Sequence, residues 1–159
     1  MPLTNRPACQ VREDWGPILE SATREVFGMM LGSDLEPVVE PASRPGEVTA
    51  VVGLAGELCG AFIVRCTVRA ALSMTSAMLG IDEEAVTDQA WDAVGEVCNM
   101  TAGNFKAKLG GIGDRCMLSV PTIVSGADYT VRSLADGSAT QRDFLFRGER
   151  VSVCVEIHM

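Results

Sequence analysis

Two stretches of this sequence carry side chains whose types and spacing could do chemistry. In Cys59-Gly-Ala-Phe-Ile-Val-Arg65 a thiol is followed, after five residues, by a guanidinium. Such a pair can attack and hold a phosphate group if a loop of converging backbone N–H groups cradles the anion, ideally at a helix N-terminus. The intervening Gly-Ala-Phe-Ile-Val reads instead as a buried strand with alternating side chains, which supplies no cradle. The second stretch is a row: Asp92, Glu96, Asn99, Gly103 and Lys106 recur at i, i+4, i+7, i+11 and i+14. At about 100° per residue these five share one face of a helix. They would present carboxylates, an amide and an ammonium to solvent in a prearranged line.

The helix that positions this row runs from Asp88 to Leu109, with Thr87 placed to cap it and Gly110-Gly111 to stop it. Ala90, Val94, Val97, Cys98, Thr101 and Phe105 form an apolar stripe opposite the row, and that stripe must face a sheet. Lys108 also falls on the stripe and fits it poorly. Most polar helix faces do nothing beyond keeping a protein in solution. Two residues set this one apart. Asn99 is a mediocre helix former, and Gly103 costs about 1 kcal/mol relative to Ala in a helix interior. A face built for solubility would use Glu, Lys, Gln or Ala there. Glycine removes bulk, which suits a surface against which another molecule packs.

Upstream, Ile18, Ala22, Val26 and Met29 recur at helical spacing between Asp14 and Leu31, with Asp14 as cap and Gly32 as stop. Pro37, Pro41 and Pro45 punctuate a loop or edge segment. Glu47–Leu54 and Glu57–Cys66 read as a β-hairpin joined at Ala55-Gly56. Val68, Leu72, Thr75 and Met78 suggest a short amphipathic helix closed by Gly80. After Gly111 the period changes to two. Cys116–Val124 is strand-like but broken by Pro121, which predicts an edge, a bulge or two short strands. Tyr129–Leu134, Arg142–Phe146 and Arg150–Ile157 follow as strands, the last two joined at Gly148-Glu149. The expected fold is α+β: one domain spanning residues 1–159, a mostly antiparallel sheet covered by about three helices, with residues 1–13 loosely ordered.

Composition excludes several classes of function. The chain has 159 residues, 47% hydrophobic and 21% charged, which suits one folded domain. Its formal net charge of −8 argues against nucleic acid and against an anionic membrane surface. No apolar run is long enough to span a bilayer, and Met-Pro-Leu-Thr-Asn-Arg-Pro lacks a signal core, so a cytoplasmic location is expected. Cys9, Cys59, Cys66, Cys98, Cys116 and Cys154 include no Cys-x-x-Cys pair, and His158 is the only histidine, so no metal site is expected. Reduced cysteines packed as small hydrophobes fit this pattern.

The stretch Trp91-Asp-Ala-Val-Gly-Glu-Val-Cys-Asn-Met-Thr-Ala-Gly-Asn104 resembles the signature helix of the CheX/CheC/FliY chemotaxis phosphatases. That family's pattern is Asp or Ser, three residues, Glu, two residues, Asn, then about twenty-two residues to a Pro. Here Asp92, Glu96 and Asn99 match, and Pro121 follows after twenty-one intervening residues, one fewer than the pattern. Leu118–Val124 is similar to the strand that follows in the family. CheC-like members carry two such helices, and this chain carries one, as CheX does.

The resemblance implies a phosphatase acting on the aspartyl phosphate of a CheY-like response-regulator receiver domain, with Mg²⁺ held by the receiver and no cofactor in this chain. It implies that Asn99 holds the attacking water in line with phosphorus and that Glu96 pairs with the receiver's active-site lysine. Asp92 would cap or orient the site, with Gly103 and Pro121 supporting it. It also implies a homodimer, for which exposed strand edges offer a route in the strand-rich C-terminal half ending in Val151–Ile157. The competing expectation is a non-catalytic binding module, as in the flagellar-switch relatives on this fold.

Overall fold

Alternation along the strands decides which side of the sheet the helices cover. The fold is seen in a computed structural model that describes residues 14–38, 47–87, 90–127, 129–130 and 138–158. In chain order the elements are α1 (Gly16–Leu31), β1 (Glu36–Pro37), β2 (Val48–Gly56), β3 (Cys59–Cys66) and α2 (Val68–Leu79). A 3₁₀ turn (Glu83–Ala85) leads to α3 (Ala90–Lys108), α4 (Gly111–Asp114), β4 (Cys116–Leu118), β5 (Thr122–Ser125), β6 (Ser138–Phe146) and β7 (Glu149–His158). The sheet runs β1-β6-β7-β3-β2, and the outer edge of β2 is shared by β4 and β5. All its pairings are antiparallel. Register puts Val52 opposite Phe62 and Phe62 opposite Val155. Val48, Ala50, Val52, Phe62, Val64, Val151, Val153 and Val155 thus share one buried face, and α1, α2 and α3 bury their own apolar residues against it.

Several expectations shift on contact with this structure. The β2–β3 turn falls at Glu57-Leu58 rather than Ala55-Gly56. Gly56 stays in the strand opposite Cys116 with φ of 123°, where an added Cβ would fall 2.2 Å from the Arg115 carbonyl oxygen. The hairpin between β6 and β7 turns at Arg147-Gly148, both at positive φ. On α2 the buried residues are Ala70, Ala71, Ser73, Met74 and Thr75, while Val68 is exposed and Leu72 and Met78 are only half-buried. On α1 Leu19, Ala22, Val26 and Phe27 are buried, whereas Met29 is 83% exposed. Asp14 does assist the start of α1, accepting a hydrogen bond from Gly16 N at 3.0 Å.

The strand broken at Pro121 is two short strands, β4 and β5, both on β2. Of the expected strand Tyr129–Leu134, Tyr129 and Thr130 are not in a strand and the rest lies outside the described residues, as do residues 1–13, Pro41 and Pro45. The run Val151–Ile157 gives no edge for a second copy, because β7 lies between β6 and β3. Among the described residues the edges are β1 with the part of β6 that precedes its pairing at Phe144 and Leu145 on one side, and β4 and β5 on the other.

Gly56 is the most exacting backbone position of this edge. Gly56→Ala combines a left-handed φ with a clash against backbone, and is expected to cost about 2 kcal/mol or more. The urea midpoint of the variant beside the parent measures this, with unchanged stability as the contrary result.

Candidate functional site

The site is built on α3, whose rotation about its axis is fixed on three sides. Beneath it, Ala90, Val94, Val97, Cys98, Thr101 and Phe105 are all buried. The Cys98 thiol donates toward Ala50 O on β2 and Phe62 O on β3, both at 3.6 Å. Phe105 lies between Phe62, 5.8 Å between ring centres, and Trp15, 6.0 Å away and edge-on. On one flank α1 holds the helix: Asn104 Nδ2 donates to Ala22 O at 3.2 Å and Glu25 Oε2 at 2.9 Å, and Lys108 Nζ meets Glu25 Oε1 at 2.7 Å. Lys108 therefore turns aside to an ion pair instead of entering the core. The Asn104 and Lys108 hydrogen bonds hold the Glu25 carboxyl below its usual range. On the other flank Gly95 lets the broken edge approach: a Cβ there would fall 3.2 Å from Ile123 Cδ1 and 3.5 Å from Pro121 Cβ.

The outer face is what remains. Asp92 and Glu96 are exposed, and Asn99, Gly103 and Lys106 are half-buried. Glu96 and Asn99 lie three residues apart, one turn of helix, and Asn99 follows Gly95 by four, on the flank that carries Pro121. Among the described residues the side chains of Asp92, Glu96 and Asn99 make no hydrogen bond or ion pair within the chain, although Asn99 is half-buried. Among the described residues nothing beyond the helix itself comes within 4 Å of a Cβ added at Gly103. The face is thus a line of polar groups that the other described residues leave open. Beside it Val120 is 85% exposed, next to Pro121.

The sequence placed Asp92, Glu96, Asn99 and Gly103 correctly on one outer face. It missed Gly95, Asn104 and Glu25, which orient that face. A glycine inside a helix at Gly95 was the available signal, since it costs helix stability and needs a packing reason.

The thiol-and-arginine pair does not assemble. Cys59 and Arg65 stand at opposite ends of β3, about 20 Å apart at 3.3 Å per residue. Burial pushes the Cys66 and Cys98 thiols up to about 12, and burial followed by Glu156 pushes Cys154 up to about 11. None of these three is a thiolate near neutral pH. Among the described residues no group of three or more His, Cys, Asp and Glu is placed to hold a metal, and no helix is long and apolar enough to cross a membrane.

A sequence model of the family described as chemotaxis phosphatase CheX matches residues 48–145. Over 111 residues the chain is 32% identical to the CheY-P phosphatase CheX of Thermotoga maritima, covering 69% of this chain and 72% of that protein. The crystal structure of a chemotaxis protein CheX from Desulfovibrio desulfuricans aligns at 27% identity with a TM-score of 0.75, covering 90% of this chain and 98% of that one. The CheX of a CheX–CheY–BeF₃–Mg²⁺ complex from Borrelia burgdorferi shares the fold at 24% identity, with a TM-score of 0.73 over 93% of this chain and 100% of that one.

The buried thiols give this geometry a chemical test. With iodoacetamide at pH 8 the native protein is expected to alkylate at the exposed Cys59, with Cys66 and Cys98 reacting only after denaturation. Linkage adds a pH dependence. Unfolded thiols ionise near about 8.5, whereas Cys66 and Cys98 stay protonated in the fold to about 12. Their contribution is fully present below the unfolded value and is lost as pH rises toward the folded one. The urea midpoint should therefore fall steadily above pH 9. Peptide mapping that found Cys98 alkylated in the native state would contradict this seating of α3.

Proposed function

The chain belongs to the CheX family, and we propose that it hydrolyses the aspartyl phosphate of a CheY-like receiver domain, with Asn99 placing the attacking water and Glu96 setting the register of the two proteins. The observation that carries this reading is the pair itself. An amide and a carboxylate stand one turn apart on an outward face, and neither has a partner among the described residues.

The chemistry asks little more of the enzyme. Phosphoryl transfer to water passes through a loose transition state, so catalysis is mostly positioning and charge stabilisation. Water attacks phosphorus, the bond from phosphorus to the aspartyl oxygen breaks, and inorganic phosphate and a free carboxylate result. The Asn99 amide can accept a hydrogen bond from the water through its oxygen or donate one through its nitrogen. Holding that water in line converts a chance encounter into a prearranged one. The proposed partner brings the acyl phosphate, the Mg²⁺ that neutralises it and a lysine for Glu96. Asp92, one turn before Glu96, orients that end of the face. Gly103 gives the partner room to approach, and Pro121 braces the flank beside Asn99 through Gly95. Because its substrate is an intracellular signalling domain, the proposed location is the cytoplasm.

The test is turnover of host receivers phosphorylated with a small phosphodonor. Asn99→Ala is expected to lower the rate about 100-fold or more while leaving receiver binding near the parent's. Glu96→Ala should lose activity with weakened binding, and Cys59→Ser should match the parent. Thermal melts confirm that each variant folds. Activity surviving Asn99→Ala but not Cys59→Ser would overturn the mechanism. A parent that binds a receiver without turning it over is a binding module.

The proposal includes a homodimer, with the β1–β6 or the β4–β5 edge as the available surface now that β7 is interior. Light scattering at micromolar concentration should give twice the 16.9 kDa chain mass, and a monomer mass removes it from the proposal.

A further inference from the structure

Lys106 ends the outer row of α3, and its surroundings differ from those of the other described cations. Arg24, Arg69, Lys108, Arg115 and Arg142 each meet a glutamate. Among the described residues the Lys106 ammonium makes no hydrogen bond or ion pair. The neighbouring Cys116 thiol feels its charge but is kept neutral chiefly by burial. The stem of Lys106 is nonetheless seated. Gly113 of α4 lies so close that an added Cβ would fall 1.9 Å from the Lys106 carbonyl oxygen and 3.3 Å from its Cγ. A buried glycine thus holds the side chain's root while its charged tip has no partner among the described residues.

Position gives that tip a direction. Lys106 follows Asn99 by seven residues and Glu96 by ten, about 10 Å and about 15 Å along the axis. Helical side chains lean toward the N-terminus, so the stem of Lys106 reaches back along the open stretch at Gly103. The row therefore has carboxylates at one end, an amide in the middle and a lone cation at the other end.

We propose that Lys106 is a docking residue for the receiver, its ammonium meeting a carboxylate on the receiver surface and, with Glu96, fixing which way round the two proteins join. This rests on the reading that the outer face of α3 engages a phosphorylated receiver. A receiver site that holds Mg²⁺ is built from carboxylates, so an acidic surface surrounds it. The phosphoryl group itself belongs at Asn99, which leaves Lys106 for a carboxylate on the rim. A partner turned end for end would set carboxylate against Glu96 and cation against Lys106, and such like-charge contacts suppress the wrong docking. A lysine in the last turn also complements the helix dipole. That role affects stability alone and is served equally without a partner.

Steady-state kinetics on a phosphorylated host receiver separate the two roles. Lys106→Met is expected to raise KM about fivefold and Lys106→Glu about twentyfold, each with kcat within twofold of the parent. Lys106→Arg should keep the parent's KM. Raising the salt to 0.5 M should raise the parent's KM toward that of Lys106→Met, because screening removes the charge contact. Melting temperatures should stay within about 3 °C. A parental KM for Lys106→Glu overturns the proposal, and so does a loss confined to kcat. Asn99→Ala is measured alongside. If it is inactive while Lys106→Glu behaves as the parent, only the docking role falls. If Asn99→Ala retains full activity, or if no host receiver is turned over, the catalytic reading falls and this inference with it.

Discussion

The seating of α3 on the β2–β3 ribbon governs everything the protein shows to a partner. Val94, Val97 and Phe105 are fully buried there or nearly so, and each large apolar side chain so placed contributes about 1.5–3 kcal/mol. Against that sum, an asparagine and a glycine on the outer face cost about 1 kcal/mol apiece or less in helix propensity. The inner face decides the rotation of the helix, and the outer face is free to carry residues chosen for something else. Cys98 refines the seating. Its thiol reaches carbonyls of two adjacent strands at once, which a bulkier aliphatic side chain at that position could not do. Gly95 on one flank and Asn104 with Lys108 on the other prevent the helix from rolling. A roll of one residue, about 100°, would turn Glu96 and Asn99 off the open face.

The broken edge strand is the second element of that arrangement. Proline has no N–H to give a ladder, so an edge strand containing one must break or bulge. Here the break is tethered: Ser119 N donates to Gly53 O at 2.9 Å, and Ser119 Oγ accepts from Gly53 N at 2.7 Å. β4 and β5 both stay on β2, while Pro121 is carried over to Gly95. A continuous strand in that place would keep its side chains in strict alternation and would not deliver a rigid ring to the helix flank beside Asn99.

Much of this was legible in local sequence, for physical reasons that also mark where legibility stops. α3 and β7 were clear because each pairs an apolar period with a polar one, and every residue of both apolar stripes is buried, although Cys154 on the opposite face of β7 is buried too. The face of α2 was misjudged in part: Thr75 is buried as expected, but the rest of the contact surface is Ala70, Ala71, Ser73 and Met74, and the two alanines and the serine permit close approach while scoring low as hydrophobes. Ala55-Gly56 looked like a turn, since glycine there answers equally to a turn and to close backbone approach; the Arg115 carbonyl is the true cause. The interior place of β7 and the contact of Pro121 with Gly95 join residues far apart in the chain, which no local period reports. The outer row itself was legible from spacing, and the roles proposed for Glu96, Asn99 and Pro121 came from the family pattern.

The charge of the outer face bears on which phosphates the proposed site accepts. Asp92 and Glu96 are exposed and, among the described residues, unpaired beside Asn99, in a chain whose formal charge is −8. A free phosphate ester approaching Asn99 meets carboxylates, and the repulsion between like charges opposes it. On the proposed reading a phosphorylated receiver would arrive with its own Mg²⁺ and lysine, so its anion would already be neutralised and its lysine would give Glu96 a partner. The same carboxylates thus repel small phosphorylated molecules and favour a substrate that brings its cations with it. An amide suits this setting better than a cationic catalytic group. It can orient water without bringing a positive charge that would attract stray phosphate, and its hydrogen bonds do not depend on pH near neutrality. Selectivity on this reading comes from what the helix withholds as well as from what it offers.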